Sequence, residues 1–142
     1  MKQNRRKFIK TCGVISAGAL CGGTSILLNS CAGVNYLSYK ENENVLVVGK
    51  SNFIKKNYGM LAHNKMTAPL YITKLENENY SAVLLKCTHK GCEVSPVGDI
   101  LICPCHGSEF SKTGKVLQSP AETDLHKFSV TTDNENIYIT VK

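Results

Sequence analysis

The 142-residue sequence has no tryptophan, no internal repeat and no low-complexity block, and helical periodicity is weak beyond residue 30. No acidic residue occurs in residues 1–30, which hold five of the 17 basic residues. Residues 31–142 therefore carry 12 Lys and Arg against 11 Asp and Glu, a net charge of about +1. Because this body has no dense basic stripe, we expect no nucleic-acid partner. A hydrophobic content of 42% is ordinary for a small globular domain and does not suggest disorder.

The first thirty residues have the pattern of a targeting segment. A basic start with the paired Arg5 and Arg6 precedes an apolar stretch of small residues at 12–28. This pattern resembles a bacterial twin-arginine signal, which exports proteins that have already folded. The alternative is a generic secretion signal or a retained membrane anchor, because the roughly 20 residues at 11–30 could just cross a bilayer as a helix.

The end of that segment, Leu-Asn-Ser-Cys at 28–31, resembles a lipoprotein processing site. In that family the signal is cut before the cysteine, so the resemblance implies a lipid on Cys31. With or without cleavage, we expect a domain anchored at the outer, periplasmic face of the bacterial cytoplasmic membrane. Residues 31–44 are interpreted as a tether, and residues 45–142 as the domain.

The body contains short runs of β-branched and aromatic residues separated by polar turns, which predicts an all-β domain of short antiparallel strands. The predicted strands lie at 45–48, 70–75, 82–85, 100–102, 128–131 and 137–141. Turn residues cluster at 76–79, 98–99 and 133–136. Pro69 is expected at a sheet edge or a strand start, and residues 52–61 are expected to form a brief turn or loop.

Two short loops hold the candidate metal ligands. Box 1, residues 87–92, reads Cys-Thr-His-Lys-Gly-Cys, and box 2, residues 103–108, reads Cys-Pro-Cys-His-Gly-Ser. Each box follows an apolar strand, and the turn at 98–99 would bring the two together. Two Cys and two His can form a zinc site, or they can hold two irons, one by thiolates and one by imidazoles. The four clustered cysteines could be metal ligands, disulfides or both.

The paired boxes resemble those of Rieske iron–sulfur proteins, especially the subunits of cytochrome bc and b6f complexes. The resemblance covers about residues 80–125. It implies a small antiparallel fold with a cluster-binding subdomain. It implies four ligands for one [2Fe–2S] cluster, namely Cys87, His89, Cys103 and His106. It further implies a disulfide between Cys92 and Cys105.

The resemblance also suggests how the reduction potential is tuned. Ser108 matches the family serine that donates a hydrogen bond to a bridging sulfide and raises the potential. Phe110 stands where members of high potential carry a tyrosine hydroxyl directed at a cysteine sulfur, so a lower potential is expected. Residues 119–121, Ser-Pro-Ala, resemble the loop that covers the cluster, with Glu122 in place of a second proline.

One box residue departs from the family pattern. Lys90 replaces an apolar residue at the exposed docking tip beside the histidines. A charge there is awkward in an apolar quinone pocket and suits an acidic partner surface better. His63 and His126 lie outside the boxes and are expected to be surface or strand histidines.

These features predict a membrane-tethered carrier of single electrons with no catalytic residue of its own. The favoured role is the iron–sulfur subunit of a quinol-oxidising respiratory complex, which passes electrons from quinol to a cytochrome. The alternative is the small electron-transfer subunit of an exported oxidoreductase of the arsenite oxidase type. A structural zinc module is the distant alternative. Any enzymatic activity would belong to a complex with a redox partner.

Overall fold

The computed structural model describes residues 36–141. These residues form eleven strands, which are β1 (Lys40–Asn42), β2 (Val45–Gly49), β3 (Tyr58–Leu61), β4 (Leu70–Lys74), β5 (Tyr80–Leu84), β6 (Ser95–Val97), β7 (Ile100–Ile102), β8 (Glu109–Ser111), β9 (Val116–Gln118), β10 (Lys127–Thr132) and β11 (Asn136–Thr140). All strand pairs are antiparallel, which confirms the predicted all-β class. Within the described range no helix is long and apolar enough to span a membrane. The predicted signal and Cys31 lie outside these residues.

The strands form two sheets. The large sheet has the order β1-β2-β11-β10-β5-β4-β3, and the small sheet is a meander in the order β6-β7-β8-β9. Strand β10 joins the halves of the large sheet, because its first residues pair with β5 and its later residues pair with β11. One face of the large sheet encloses the main core. The other face is also buried at β4 and β5, where a second apolar core lies between these strands and the small sheet. The boxes belong to that second core.

The segment before β1 ties the two edges of the large sheet together. Tyr36 forms a bridge with Met60 of β3, and the Leu37 amide donates to the Met60 carbonyl at 2.7 Å. The Leu37 side chain is buried in the main core. Residues 36–44, the second part of the expected tether at 31–44, therefore pack with the domain, because Leu37 is buried, Tyr36 pairs with β3 and β1 pairs with β2.

The segment at 52–61, expected to be a brief turn or loop, is more ordered than its sequence indicates. Residues Lys50–Phe53 form one turn of 3-10 helix, and β3 follows at Tyr58–Leu61. Phe53 is buried and packs edge-on against Tyr80, with ring centroids 5.3 Å apart. Pro69 directly precedes β4, as expected.

Gly59 of β3 gives a test of this closure. A Cβ built on Gly59 would lie 2.6 Å from Cγ and Cδ2 of Leu37, closer than side chains pack. We expect Gly59→Ala to lower the free energy of unfolding by about 1–3 kcal/mol through overpacking, measured by chemical denaturation followed by circular dichroism.

Gly49→Ala in β2 is the matched control, because its Cβ would meet Ser51 Oγ at an ordinary 3.4 Å. This control should change the stability by less than about 0.5 kcal/mol. In a Leu37→Ala background, Gly59→Ala should lower the free energy of unfolding by much less. An equal loss of stability in that background would contradict overpacking against Leu37 as the cause.

Candidate metal centre

The two boxes have the same backbone conformation. In each, the first cysteine amide donates to the carbonyl of the sixth residue, at 2.8 Å in both cases. The fifth residue is a glycine, and its amide donates back to the first carbonyl, at 2.8 Å for Gly91 and 3.0 Å for Gly107. Both glycines have positive φ angles, +79° and +77°, which other residues rarely adopt. The two loops are thus closed by the same pair of backbone hydrogen bonds, with the histidine third in box 1 and fourth in box 2.

Strand pairing brings the boxes together. Box 1 follows β5 after two residues and is closed at its base by a bridge between Lys86 and Glu93. Box 2 is the connection between β7 and β8, and β7 pairs with β6, the strand after box 1. The hairpin arrangement predicted around residues 98–99 is confirmed, with Gly98 at φ +61° in the turn.

The four predicted ligands lie in two layers. Cys87 and Cys103 have free thiols that are 2% and 1% exposed. His89 is half-buried and His106 is exposed, and their ring centroids are 4.8 Å apart at an interplanar angle of 82°. The thiols therefore point into the core while the imidazoles lie at the surface.

The remaining two cysteines form a disulfide between the boxes. The Cys92–Cys105 bond has an S–S distance of 2.06 Å and a Cα–Cα distance of 6.5 Å. Sγ of Cys103 lies within 4.8 Å of both bonded sulfurs. Since Cys92 and Cys105 are bonded to each other, Cys103 is the thiol of these three that can bind a metal.

Two observations show that the ligand set fits a metal group. Nδ1 of His89 is buried without a hydrogen-bond partner, which is costly unless another ligand binds there. Burial raises the pKa of Cys87, but hydrogen bonds from the backbone amides of His89 and Lys90 and from the side chains of Cys103 and Ser108 outweigh it. The pKa of Cys87 is therefore below its ordinary value, which favours the thiolate that binds metals.

The segment at 118–123, which contains the expected covering loop, is attached to both boxes by three hydrogen bonds. The buried Ser108 hydroxyl accepts a hydrogen bond from the Ala121 amide at 3.0 Å. The Thr88 hydroxyl donates to the Thr123 carbonyl at 2.6 Å. The side-chain amide of Gln118 donates to the Gly107 carbonyl at 3.2 Å.

Sequence reasoning missed Thr88 and Gln118. Thr88 stands between two predicted ligands, so its position was a usable signal. Gln118 had no comparable signal, because its partner is a backbone carbonyl distant in sequence.

Phe110 and Lys90 occupy contrasting places. Phe110 is fully buried in β8, opposite Leu101 of β7, in the same apolar cluster as both free thiols. It offers no hydroxyl to them. Lys90 is exposed beside Gly91 at the turn of box 1.

The prediction of a surface or strand environment is wrong for His63. This residue is 7% exposed, with Nε2 3.3 Å from Glu41 Oε1 and Nδ1 accepting the Lys65 amide at 3.3 Å. It is buried because residues 61–69 fold back towards β1. His126 is exposed and packs against Phe128, with centroids 4.7 Å apart. Both line a cavity of about 370 Å³ that contains no box residue.

Comparison with known proteins agrees with this geometry. Residues 44–129 match the family model of the Rieske [2Fe-2S] domain. The cytochrome b6-f complex iron-sulfur subunit of Synechococcus sp. (strain JA-2-3B'a(2-13)) is 39% identical over 84 residues, 55% of this chain and 47% of that protein. The same subunit of Prochlorococcus marinus (strain MIT 9303) is 38% identical over 55 residues, 37% of this chain and 31% of that protein. The chain thus spans less than half the length of these relatives.

A solved structure extends the likeness to three dimensions. The cyanobacterial plasma membrane Rieske protein from Synechocystis PCC 6803 superposes with a TM-score of 0.57 at 31% identity. The match covers 66% of this chain and 95% of that protein.

Proposed function

Because this chain belongs to the family of Rieske [2Fe–2S] domains, we propose that Cys87, Cys103, His89 and His106 hold its cluster and that the protein carries single electrons. The observation that carries the ligand assignment is the pair of matching boxes, which set two buried thiols beneath two imidazoles. The unpartnered Nδ1 of His89 supports it. When bound, a cluster of this kind supplies one-electron transfer at about −150 to +300 mV.

Different residues of the chain would have different roles at such a site. Cys87 and Cys103 bind from the core side, where burial excludes water. His106 is exposed and presents the site to a partner. The Cys92–Cys105 disulfide holds the two boxes at a fixed distance. The hydroxyl of Ser108 links Cys87 to the covering loop.

We also propose the kind of redox partner and the location of the domain. Relatives named as subunits of cytochrome b6-f complexes favour a role in a quinol-oxidising respiratory complex, with electrons passing from quinol to a cytochrome. We place the domain on the periplasmic face of the cytoplasmic membrane, anchored through residues 1–30 or a lipid on Cys31. The electron-transfer subunit of an exported oxidoreductase is the second candidate, favoured by the charge of Lys90 and the missing hydroxyl at Phe110.

The test is purification of the full chain from membranes solubilised in detergent, followed by identification of the proteins that remain bound. A b-type cytochrome in the complex, with electrons entering from added quinol, supports the first role. A molybdenum-containing or other oxidoreductase subunit supports the second. Cys31→Ser, expressed alongside, should move the protein from the membrane fraction to the soluble fraction if lipid is its anchor. If it stays in the membrane, lipidation as the anchor is wrong.

The side chain at position 110 gives a prediction about the potential. In Phe110→Tyr the new hydroxyl would lie in the cluster of side chains that holds both thiols, and a hydrogen bond to a cysteine sulfur stabilises the more negative, reduced state. We expect the midpoint to rise by on the order of 50 mV, the equivalent of about 1 kcal/mol for one electron. Redox titration followed by EPR measures it, with Phe110→Leu as a control without a hydroxyl. A midpoint that is unchanged or lower would contradict this role.

A further inference from the structure

The turn of box 1 carries two exposed lysines next to the proposed ligands. Lys90 directly follows His89, and Lys86 directly precedes Cys87. Cε of Lys86 lies 3.4 Å from the position that a Cβ would take on Gly91. The Lys86 side chain therefore runs along the box towards its turn, and both ammonium groups belong to one surface, which we call the lysine tip (Lys86 and Lys90).

Neither lysine of this tip forms an ion pair with another of residues 36–141. The ion pairs found among residues 36–141 are His63–Glu41, Lys65–Glu41 and Lys74–Glu78, and none involves the tip. Glu93 is bridged to Lys86 through the backbone, but the two side chains form no ion pair. Two acidic residues, Glu122 and Asp124, flank Thr123, the residue that contacts box 1. The Asp124 carboxylate accepts a hydrogen bond from the Val116 amide, at 2.8 Å.

The charge is a local property of the surface. Residues 36–141 contain eleven lysines, no arginine and eleven acidic residues, so this part of the chain has no net charge. Any preference for a charged partner must then come from how charges are distributed. Burying two unpaired ammonium groups in an apolar pocket is unfavourable, whereas carboxylates across an interface would pair with them.

We propose that the lysine tip docks an acidic protein surface, which exchanges electrons through the exposed His106 edge. This inference rests on the function proposed above and names the chemistry of its partner. Opposite charges steer the encounter and fix its orientation, so the electrostatic contribution appears mainly in the association rate and falls as salt is added.

Two forms of one redox protein provide the probe. The reduced holoprotein is mixed in a stopped-flow instrument with cytochrome c and, separately, with the same cytochrome c succinylated on its lysines. At low ionic strength we expect the succinylated form to react faster, and salt should remove the difference. Lys90→Glu and Lys86→Glu should each slow the reaction with the succinylated form by about tenfold and speed the reaction with the unmodified form.

Matched variants separate local from overall charge. Lys55→Glu changes the net charge equally but lies in the exposed loop before β3, so it should alter the rate by less than about twofold. Lys86→Gln and Lys90→Gln remove charge without adding any and should have smaller effects in the same direction. Glu122→Gln should speed the reaction with the succinylated form.

The proposal is overturned if unmodified cytochrome c reacts as fast or faster, or if Lys55→Glu slows the reaction as much as Lys90→Glu. Iron content, the EPR signal and the midpoint are measured on the same samples. If wild type holds no [2Fe–2S] cluster, the proposed function itself fails, and the docking proposal with it. If the cluster is present with equal midpoints and the rates show no charge preference, only the docking proposal fails.

Discussion

Replacing one buried or one exposed ligand is expected to abolish the EPR signal and visible absorption of the iron–sulfur cluster. Cys103→Ser removes a buried thiol, and His106→Asn removes the exposed imidazole, so each leaves three of the four proposed ligands. Each variant would leave one of the two irons with a single protein ligand instead of two. We therefore expect the EPR signal of the reduced protein to fall by at least about tenfold. Iron and sulfide per chain and the visible absorption should fall with it.

His126→Asn is the matched control for His106→Asn, because both histidines are exposed. Of these two histidines, His106 lies in a box and His126 does not, so His126→Asn should keep a full cluster and an unchanged EPR signal. Far-ultraviolet circular dichroism of each variant separates loss of the cluster from loss of the fold. A His106→Asn protein with a wild-type EPR signal would remove that residue from the ligand set.

The second large effect is expected on removing the disulfide. The double variant Cys92→Ser/Cys105→Ser frees a loop with a sequence separation of 13, for which loop-closure entropy predicts a loss of about 3 kcal/mol of unfolding free energy. The boxes would also separate more readily, so the visible absorption should bleach faster on warming. Denaturant titration and the bleaching rate measure the two effects.

The double variant is a cleaner test than either single one. A single replacement would leave one thiol of the pair unpaired close to Cys103, whose sulfur lies within 4.8 Å of both bonded sulfurs. A new disulfide could then form and remove a ligand. A reductant that opens the disulfide should lower the stability of wild type and leave the double variant unaffected. Equal stability of wild type and double variant would contradict a clamping role.

Much of the site could be predicted because its requirements are local. Each box carries its own turn: the glycine with positive φ, the first cysteine that pairs across the loop, and the preceding strand all lie within a few residues. The six predicted strands are present for the same reason, because a run of β-branched, aliphatic and aromatic residues between turn residues is a local signal. The resemblance of the boxes to those of Rieske proteins implies the disulfide between Cys92 and Cys105, and the structure contains it.

What could not be predicted depends on contacts between distant segments. Strands β1, β6, β8 and β9 have three residues each, too few for a period to show, and each contains polar residues or proline. The equally short β7 was predictable because all three of its residues are aliphatic. Leu37 is buried only because Gly59, more than twenty positions later, leaves space for it. The burial of His63 depends in the same way on Glu41 and the fold of residues 61–69.

The central claim, that Cys87, Cys103, His89 and His106 hold one [2Fe–2S] cluster, is tested most directly by EPR of the reduced protein with histidine labelled by ¹⁵N. We expect a rhombic signal with an average g below the free-electron value and hyperfine coupling to two imidazole nitrogens, and we expect labelled His106→Asn to lose both the signal and the coupling. A colourless protein without a signal, holding zinc in place of iron, would contradict it.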